Sequence, residues 1–130
     1  MKIILPWPPK ELSPNARTHW AQKSKFTAKY RRDCAILTKA ANIDAAFLRG
    51  CVAGDRYALH VFMDFYPPDR RPRDATNLVA AFKAGEDGVS DALGINDKHF
   101  IIHPLLREEV RKGGQVILTL MLRDRVEGAE

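Results

Sequence analysis

Alternation of apolar and other positions over residues 57–65 marks the clearest β-strand in the chain. A period of two is typical of a strand with one buried face. A shorter β-prone run at residues 2–5 predicts another strand, which stops at Pro6 because proline cannot extend a strand ladder. Trp7 follows among prolines, and we assign it to packing.

Two later β-prone runs predict a hairpin. They cover residues 100–110, interrupted by Pro104, and residues 115–122. Between them lies a Lys-Gly-Gly sequence at 112–114, which is a typical turn signal. We therefore expect the two runs to pair with each other as antiparallel strands.

A helical period appears in two segments. The first covers residues 24–41, with Ser24 as its predicted N-cap, and it follows an aperiodic segment, residues 13–23, that predicts a loop. The second helix begins near Thr76, after a loop rich in arginine and proline. The predicted core positions are Phe26, Tyr30, Cys34, Leu37 and Ala41 in the first helix, and Leu78, Ala81, Phe82, Gly85 and Val89 in the second.

These elements predict an α+β fold in one small domain, with a mixed or antiparallel sheet and two main helices. A chain of 130 residues fits one hydrophobic core. We place the domain at residues 1–125 and a polar tail at 126–130. There is no internal repeat.

Composition narrows the class of protein. No run of about 18 apolar residues is present, so no membrane span is expected, and residues 1–9 are too short and too rich in proline for the apolar region of a signal peptide, so we do not expect export. Cys34 and Cys51 have neither zinc-site nor disulfide-framework spacing. We expect a cytoplasmic protein with reduced thiols.

Charge is distributed unevenly along the chain. Residues 1–32 hold eight basic residues and one acidic residue, whereas the rest hold 13 basic and 15 acidic residues. The net charge of +5 favours an anionic partner such as nucleic acid. A solvated helix face with a flexible tail is the plainer interpretation of the basic segment, and the sequence leaves both open.

The outward face of the second helix concentrates polar chemistry. Thr76, Lys83 and Asp87 fall on that face, and Asp74 lies at the start of the helix. Asp74 is also explained by favourable interaction with the helix dipole, and Lys83 with Asp87 by an ordinary ion pair four residues apart. Their concentration beside an arginine-rich loop, with Asp97 further along, favours a site.

The order of these motifs resembles the RusA-type Holliday-junction resolvases of phages and prophages. The matching pieces are the Leu-Pro-Trp-Pro-Pro run at 5–9, Arg-x-Arg-Asp-x-x-Asn-Leu at 71–78, Lys-x-x-x-Asp-Gly at 83–88, and Asp97. The resemblance covers residues 3 to 122. It implies a homodimeric, magnesium-dependent endonuclease that cuts four-way DNA junctions in recombination and repair.

The resemblance also implies roles for individual residues. Asp74 and Asp97 match metal ligands, Asp87 is a further candidate ligand, and Lys83 matches the lysine near the scissile phosphate. Thr76 departs from the family pattern, which has a second aspartate there, so a hydroxyl replaces a charged ligand. Asp87 or Asp91 is the candidate to supply the missing charge.

Magnesium, or manganese in its place, suits such residues because both ions prefer carboxylate oxygens. The bound ion would activate water for attack on phosphorus, and Lys83 would stabilise the charge that develops there. Cationic residues would hold the DNA backbone. The candidates for DNA contact are Arg70, Arg71, Arg73, Asn77, Arg17, Lys23, Lys25 and Lys29.

Two alternatives remain at this stage. The first is a non-catalytic module that binds branched DNA and whose acidic site is weakened at Thr76. The second is a basic module that binds proteins or lipid surfaces, although no strongly amphipathic basic helix recommends it.

Overall fold

Three helices and four strands make up the fold of the computed structural model, which describes residues 1–125; the predicted tail at 126–130 lies outside the described residues. Within the described part, no helix is long and apolar enough to cross a membrane. The elements in chain order are β1 (Lys2–Pro6), α1 (Trp20–Ala40), α2 (Ala45–Ala53), β2 (Tyr57–Tyr66), α3 (Ala75–Leu93), β3 (Phe100–Leu106) and β4 (Gln115–Asp124).

The four strands form one mixed sheet in the order β1-β4-β2-β3. β4 is antiparallel to both β1 and β2, and β3 is parallel to β2 at the other edge. The α+β class and the mixed sheet are therefore confirmed. The alternating face of β2 is also confirmed, since Leu59, Val61, Met63 and Phe65 are buried in the core.

The predicted hairpin is wrong. β3 and β4 do not pair with each other, because they lie on opposite sides of β2. The chain leaves β3 and crosses the end of β2, where Arg107 and Arg111 donate backbone hydrogen bonds to the carbonyls of Phe65 and Pro67. Pro104 is tolerated because β3 is an edge strand.

Helix α1 begins earlier than predicted. It starts at Trp20, where the imidazole Nδ1 of His19 accepts a hydrogen bond from the backbone of Ala21 at 3.2 Å. Ser24 is therefore inside the helix, and the predicted loop at 13–23 is wrong over its last four residues. The cap was missed because histidine is not among the residues that usually cap helices.

The buried face of α1 differs from the prediction in one position. Tyr30 and Cys34 are buried as predicted, but Thr38 takes the next inward position and Leu37 is 39% exposed. The Thr38 hydroxyl donates to the carbonyl of Cys34 at 2.7 Å, so its burial leaves no unpaired donor.

Helix α2 has no counterpart in the sequence prediction. Asp44 caps it by accepting a hydrogen bond from the backbone of Phe47 at 3.0 Å. Leu48 and Val52 are its buried residues and join the core.

Helix α3 packs closely on α1. All five of its predicted core positions are buried. Gly88 lies so close to α1 that a Cβ placed there would stand 2.2 Å from the Arg31 carbonyl oxygen. On α1, the Tyr30 hydroxyl donates to the carbonyl of Pro6 at 2.6 Å, which fixes the helix against the end of β1. The opposite face of α3 is left for the site.

Candidate metal centre and nucleic-acid surface

Helix α3 starts at a capping residue that was also predicted as a site residue. The Asp74 carboxylate accepts a hydrogen bond from the backbone of Thr76 at 2.7 Å, and the helix begins at Ala75. The predicted start near Thr76 is thus confirmed. Gly94 ends the helix in the left-handed conformation, with φ of 68°, which glycine adopts without strain.

The chain then brings an acid back to the middle of α3. A single 3-10 turn, Asp97–His99, follows the helix, and the Asn96 side chain caps it by accepting from the backbone of Lys98 at 2.9 Å. This turn places the Asp97 carboxylate in direct contact with the ammonium of Lys83.

Lys83 contacts two further carboxylates on its own helix. Its Nζ lies 3.0 Å from Glu86 Oε2 and 3.1 Å from Asp87 Oδ1. One carboxylate oxygen from each of Glu86, Asp87 and Asp97 lies within 4.8 Å of the others. We call these three residues the acidic cluster, and within residues 1–125 they are the group of acids spaced to share a cation.

The ammonium and the carboxylates shift each other's pKa values. Partial burial alone would lower the pKa of Lys83, but the hydrogen bonds that it donates to Asp97, Glu86 and Asp87 outweigh burial and raise the pKa above its usual range. The Lys83 hydrogen bond lowers the pKa of Asp97. Burial raises the pKa of Glu86 despite the nearby ammonium. The charged form is therefore less well stabilised on Glu86 than on Asp97.

Three of the four predicted catalytic or metal residues meet in this cluster. Lys83, Asp87 and Asp97 are together, whereas Asp74 is not a member. From position 74 to position 83, a rise of ~1.5 Å per residue gives a separation of about 13 Å along the axis. Among the described residues Asp97 is grouped with Asp87 and Glu86, whereas the expected pairing of Asp74 with Asp97 stays a prediction.

Sequence reasoning missed Glu86. The sequence feature that could have identified Glu86 is its position three residues after Lys83, since this spacing places two side chains on one helix face. Of the two acids proposed to replace the aspartate missing at Thr76, Asp87 lies in the cluster. Asp91 instead accepts hydrogen bonds from Arg31 at 2.6 and 2.8 Å.

Arg31 is a second residue that the sequence did not single out for the site. It lies on α1, where its Nε and Nη2 donate to Asp91 and its Nη1 lies 4.0 Å from Asp87. The close packing at Gly88 brings α1 and its cations to the border of the acidic cluster.

The cations predicted to contact DNA lie in two places, the loop before α3 and the region around the start of α1. Residues 68–74, which we call the arginine loop, hold Arg70, Arg71 and Arg73. Arg71 and Arg73 contact the Asp69 carboxylate at 3.2 and 2.8 Å. The backbone hydrogen bond from Arg71 and the side chain of Arg73 lower the pKa of Asp69. Arg70 is exposed and outside this arrangement.

The N-terminal cations line the start of α1. Arg17 and Lys25 are exposed, and Lys23 is partly exposed. Lys29 is engaged by Asp33 at 2.7 Å. These residues offer a cationic surface, but nothing in their arrangement selects particular phosphates.

The fold and site define a small α+β protein with an acidic cluster beside cationic surfaces. No family model matches the chain. The chain is similar to an uncharacterized protein of Xylella fastidiosa (strain Temecula1 / ATCC 700964), with 42% identity over 118 residues. The aligned region covers 91% of this chain and 74% of the Xylella protein. The chain belongs to the same family as that protein.

Proposed function

We propose that this protein is a metal-dependent endonuclease of the RusA type that cuts four-way DNA junctions. The observation that carries the proposal is the acidic cluster around Lys83, held between α3 and the Asp97 turn. A cation-binding group of acids with a lysine and nearby arginines combines the elements that phosphodiester hydrolysis requires.

The donor set of the acidic cluster suits a hard divalent cation. It offers carboxylate oxygens, which Mg²⁺ and Mn²⁺ prefer, and it already holds one positive charge, the Lys83 ammonium. Glu86, Asp87 and Asp97 would hold the ion. When bound, magnesium would supply Lewis-acid activation of the phosphate and of an attacking water.

The protein's own residues would position the substrate. Lys83, once released from the carboxylates, donates hydrogen bonds to the phosphate that gains charge during the reaction. Arg31 borders the cluster and is placed to hold a neighbouring phosphate. A homodimer would supply the two sites that paired cuts in a junction require.

Calorimetric titration with Mn²⁺ and Mg²⁺ tests the centre directly. We expect binding by the wild type and at least about tenfold weaker binding by Asp97→Asn, because loss of one ligand charge removes much of the attraction. The matched control is Asp33→Asn, which neutralises an acid that is paired with Lys29 outside the cluster. Equal affinities of both variants would contradict the assignment.

Cutting of a synthetic four-way junction completes the test. The wild type and Asp33→Asn should nick it with magnesium or manganese, whereas Asp97→Asn should bind the junction without cutting it. Junction binding with neither metal binding nor cutting would favour the non-catalytic module. That alternative draws support from the Lys83 ammonium, which already offsets charge in the cluster.

A further inference from the structure

A cleft of about 520 Å³ lies between the first two turns of α3 and two loops, and no residue of the acidic cluster lines it. Trp7, Pro8 and Pro9 form one wall, and the arginine loop forms another. Asn77, Leu78 and Ala81 line it on α3. The volume is in the range of pockets that hold small molecules, roughly 300–1,000 Å³.

The Trp7 wall is held in place from several sides. The Trp7 ring packs edge-on against Phe65, with centroids 6.2 Å apart. The Arg73 guanidinium carbon lies 5.6 Å from the Trp7 ring centroid. Gly114 also approaches closely, since a Cβ there would stand 2.8 Å from the Trp7 side chain, and its φ of 74° further favours glycine. The wall is therefore preformed, so a ligand need not order it.

Two polar side chains of the cleft have no partner within the described part of the chain. These are the Lys10 ammonium and the Asn77 carboxamide, which no hydrogen bond or ion pair among residues 1–125 engages. Arg71 adds a guanidinium that is 83% exposed. The cleft thus offers one amide and two accessible cations beside apolar walls.

The carboxylates of the cleft limit where an anion can bind. Asp69 is offset by Arg71 and Arg73, and Asp74 accepts the backbone hydrogen bond of Thr76. An anionic group would avoid Asp74 and be attracted to Lys10 and Arg71, the two accessible cations of the cleft.

We propose that this cleft binds one unpaired nucleotide of the DNA strand. The base lies against the Trp7 wall, Asn77 hydrogen-bonds its edge, and Lys10 with Arg71 contacts its phosphate. An amide can pair with a base edge, aromatic and apolar walls accept any base, and a pocket of this size takes one nucleotide but no duplex. This inference rests on the proposed function and adds selection of substrates with unstacked nucleotides at a branch.

Binding can be measured without cleavage, in EDTA, by fluorescence of 2-aminopurine. The base is placed as the single unpaired nucleotide of one DNA and at the same position of a fully paired duplex. We expect Asn77→Ala and Lys10→Gln each to weaken binding of the unpaired substrate by about fivefold, the loss of one hydrogen bond or phosphate contact. Lys39→Gln, an exposed cation on the last turn of α1, is the control.

The two substrates separate the cleft from general charge attraction. A loss confined to the unpaired substrate supports the inference, whereas equal losses on both substrates, or none, overturn it. Because Lys10 is exposed, its variant keeps the test valid if Asn77→Ala fails to fold. Wild-type cutting without preference for the unpaired substrate would defeat the cleft alone. Cleft binding without any metal-dependent cutting would defeat the nuclease proposal alone.

Discussion

The two faces of helix α3 make different kinds of interaction. The inner face meets α1 and the sheet through buried groups such as Phe82 and Val89. The outer face carries Lys83 and Asp87, both partly or largely exposed, which interact with acids and with water. The packed inner face tolerates little change, because a difference of even one methylene group in side-chain volume disturbs a close-packed core. Exposed ion pairs contribute little stability, so the outer face can vary in chemistry without loss of the fold.

One contact joins the two faces. At Gly88 the backbones of α3 and α1 approach so closely that the Arg31 carbonyl occupies the space of a side chain. The Arg31 side chain then reaches around to Asp91 and Asp87 on the outer side. The distance between the helices therefore sets where this cation stands relative to the acidic cluster.

Gly88→Ala should give the largest change in stability. The added methyl cannot fit beside a backbone carbonyl, so the helices must separate, at a cost of about 1–3 kcal/mol in the free energy of unfolding. Urea denaturation measures this loss. Gly50→Ala is the matched control, because no atom beyond its chain neighbours and the adjoining backbone of α2 lies within 4 Å of its Cβ position. That variant should gain about 0.5–1 kcal/mol from helix propensity, and a loss equal to that of Gly88→Ala would refute the packing argument.

The sequence was sufficient to predict the inner face of α3 and the core face of β2. In both, burial imposes a regular period that can be read without knowing what lies opposite. Strand pairing could not be predicted from periodicity in this way. Residues 112–114 do carry a turn signal, yet the neighbour of β4 is β2, since pairing depends on the path of the chain between elements that are distant in sequence.

The candidate site could likewise be predicted only in part, because periodicity identifies residues on one helix face but not contacts between elements. Lys83 and Asp87 share a helix face by spacing alone, but the arrival of Asp97 depends on how the chain turns after Gly94. Glu86 shares a helix side with Lys83 but is only 13% exposed, and the periodicity assigned it neither to the core nor to the site. The pattern of a single sequence predicts which residues share a face of one helix or strand, but it does not predict which elements contact each other.

Asp74→Ala should have an intermediate effect and sharpens the distinction between cap and metal ligand. Loss of the hydrogen bond to the Thr76 backbone costs about 1 kcal/mol of unfolding free energy. Asp74→Asn keeps an N-cap acceptor and should retain most of the stability. If the role of Asp74 is confined to the cap, Mn²⁺ affinity in calorimetry is unchanged in Asp74→Asn. A loss comparable to that of Asp97→Asn would return Asp74 to the metal centre.

Glu86→Gln should have the smallest effect on stability, and the effect should depend on pH. Burial raises the pKa of Glu86 in the folded protein above the ordinary value of 4.5. The unfolded chain then releases its proton first, so the contribution of Glu86 to stability falls as pH rises from 4.5 through the raised value. Gln does not titrate, and the variant should lose this decline while keeping the opposite trend from Asp97, whose pKa is lowered.

Urea denaturation of both proteins at a series of pH values above 4 gives the contribution of Glu86, including its interaction with Asp97, as the difference between the two curves. The difference in unfolding free energy should shift in favour of the variant as pH rises. Glu108→Gln, which removes the carboxylate of an exposed acid beyond β3, is the matched control. A flat difference for Glu86→Gln would mean that Lys83 fully offsets the effect of burial on Glu86, so that Glu86 would be ionised and ready to bind a cation with the rest of the acidic cluster.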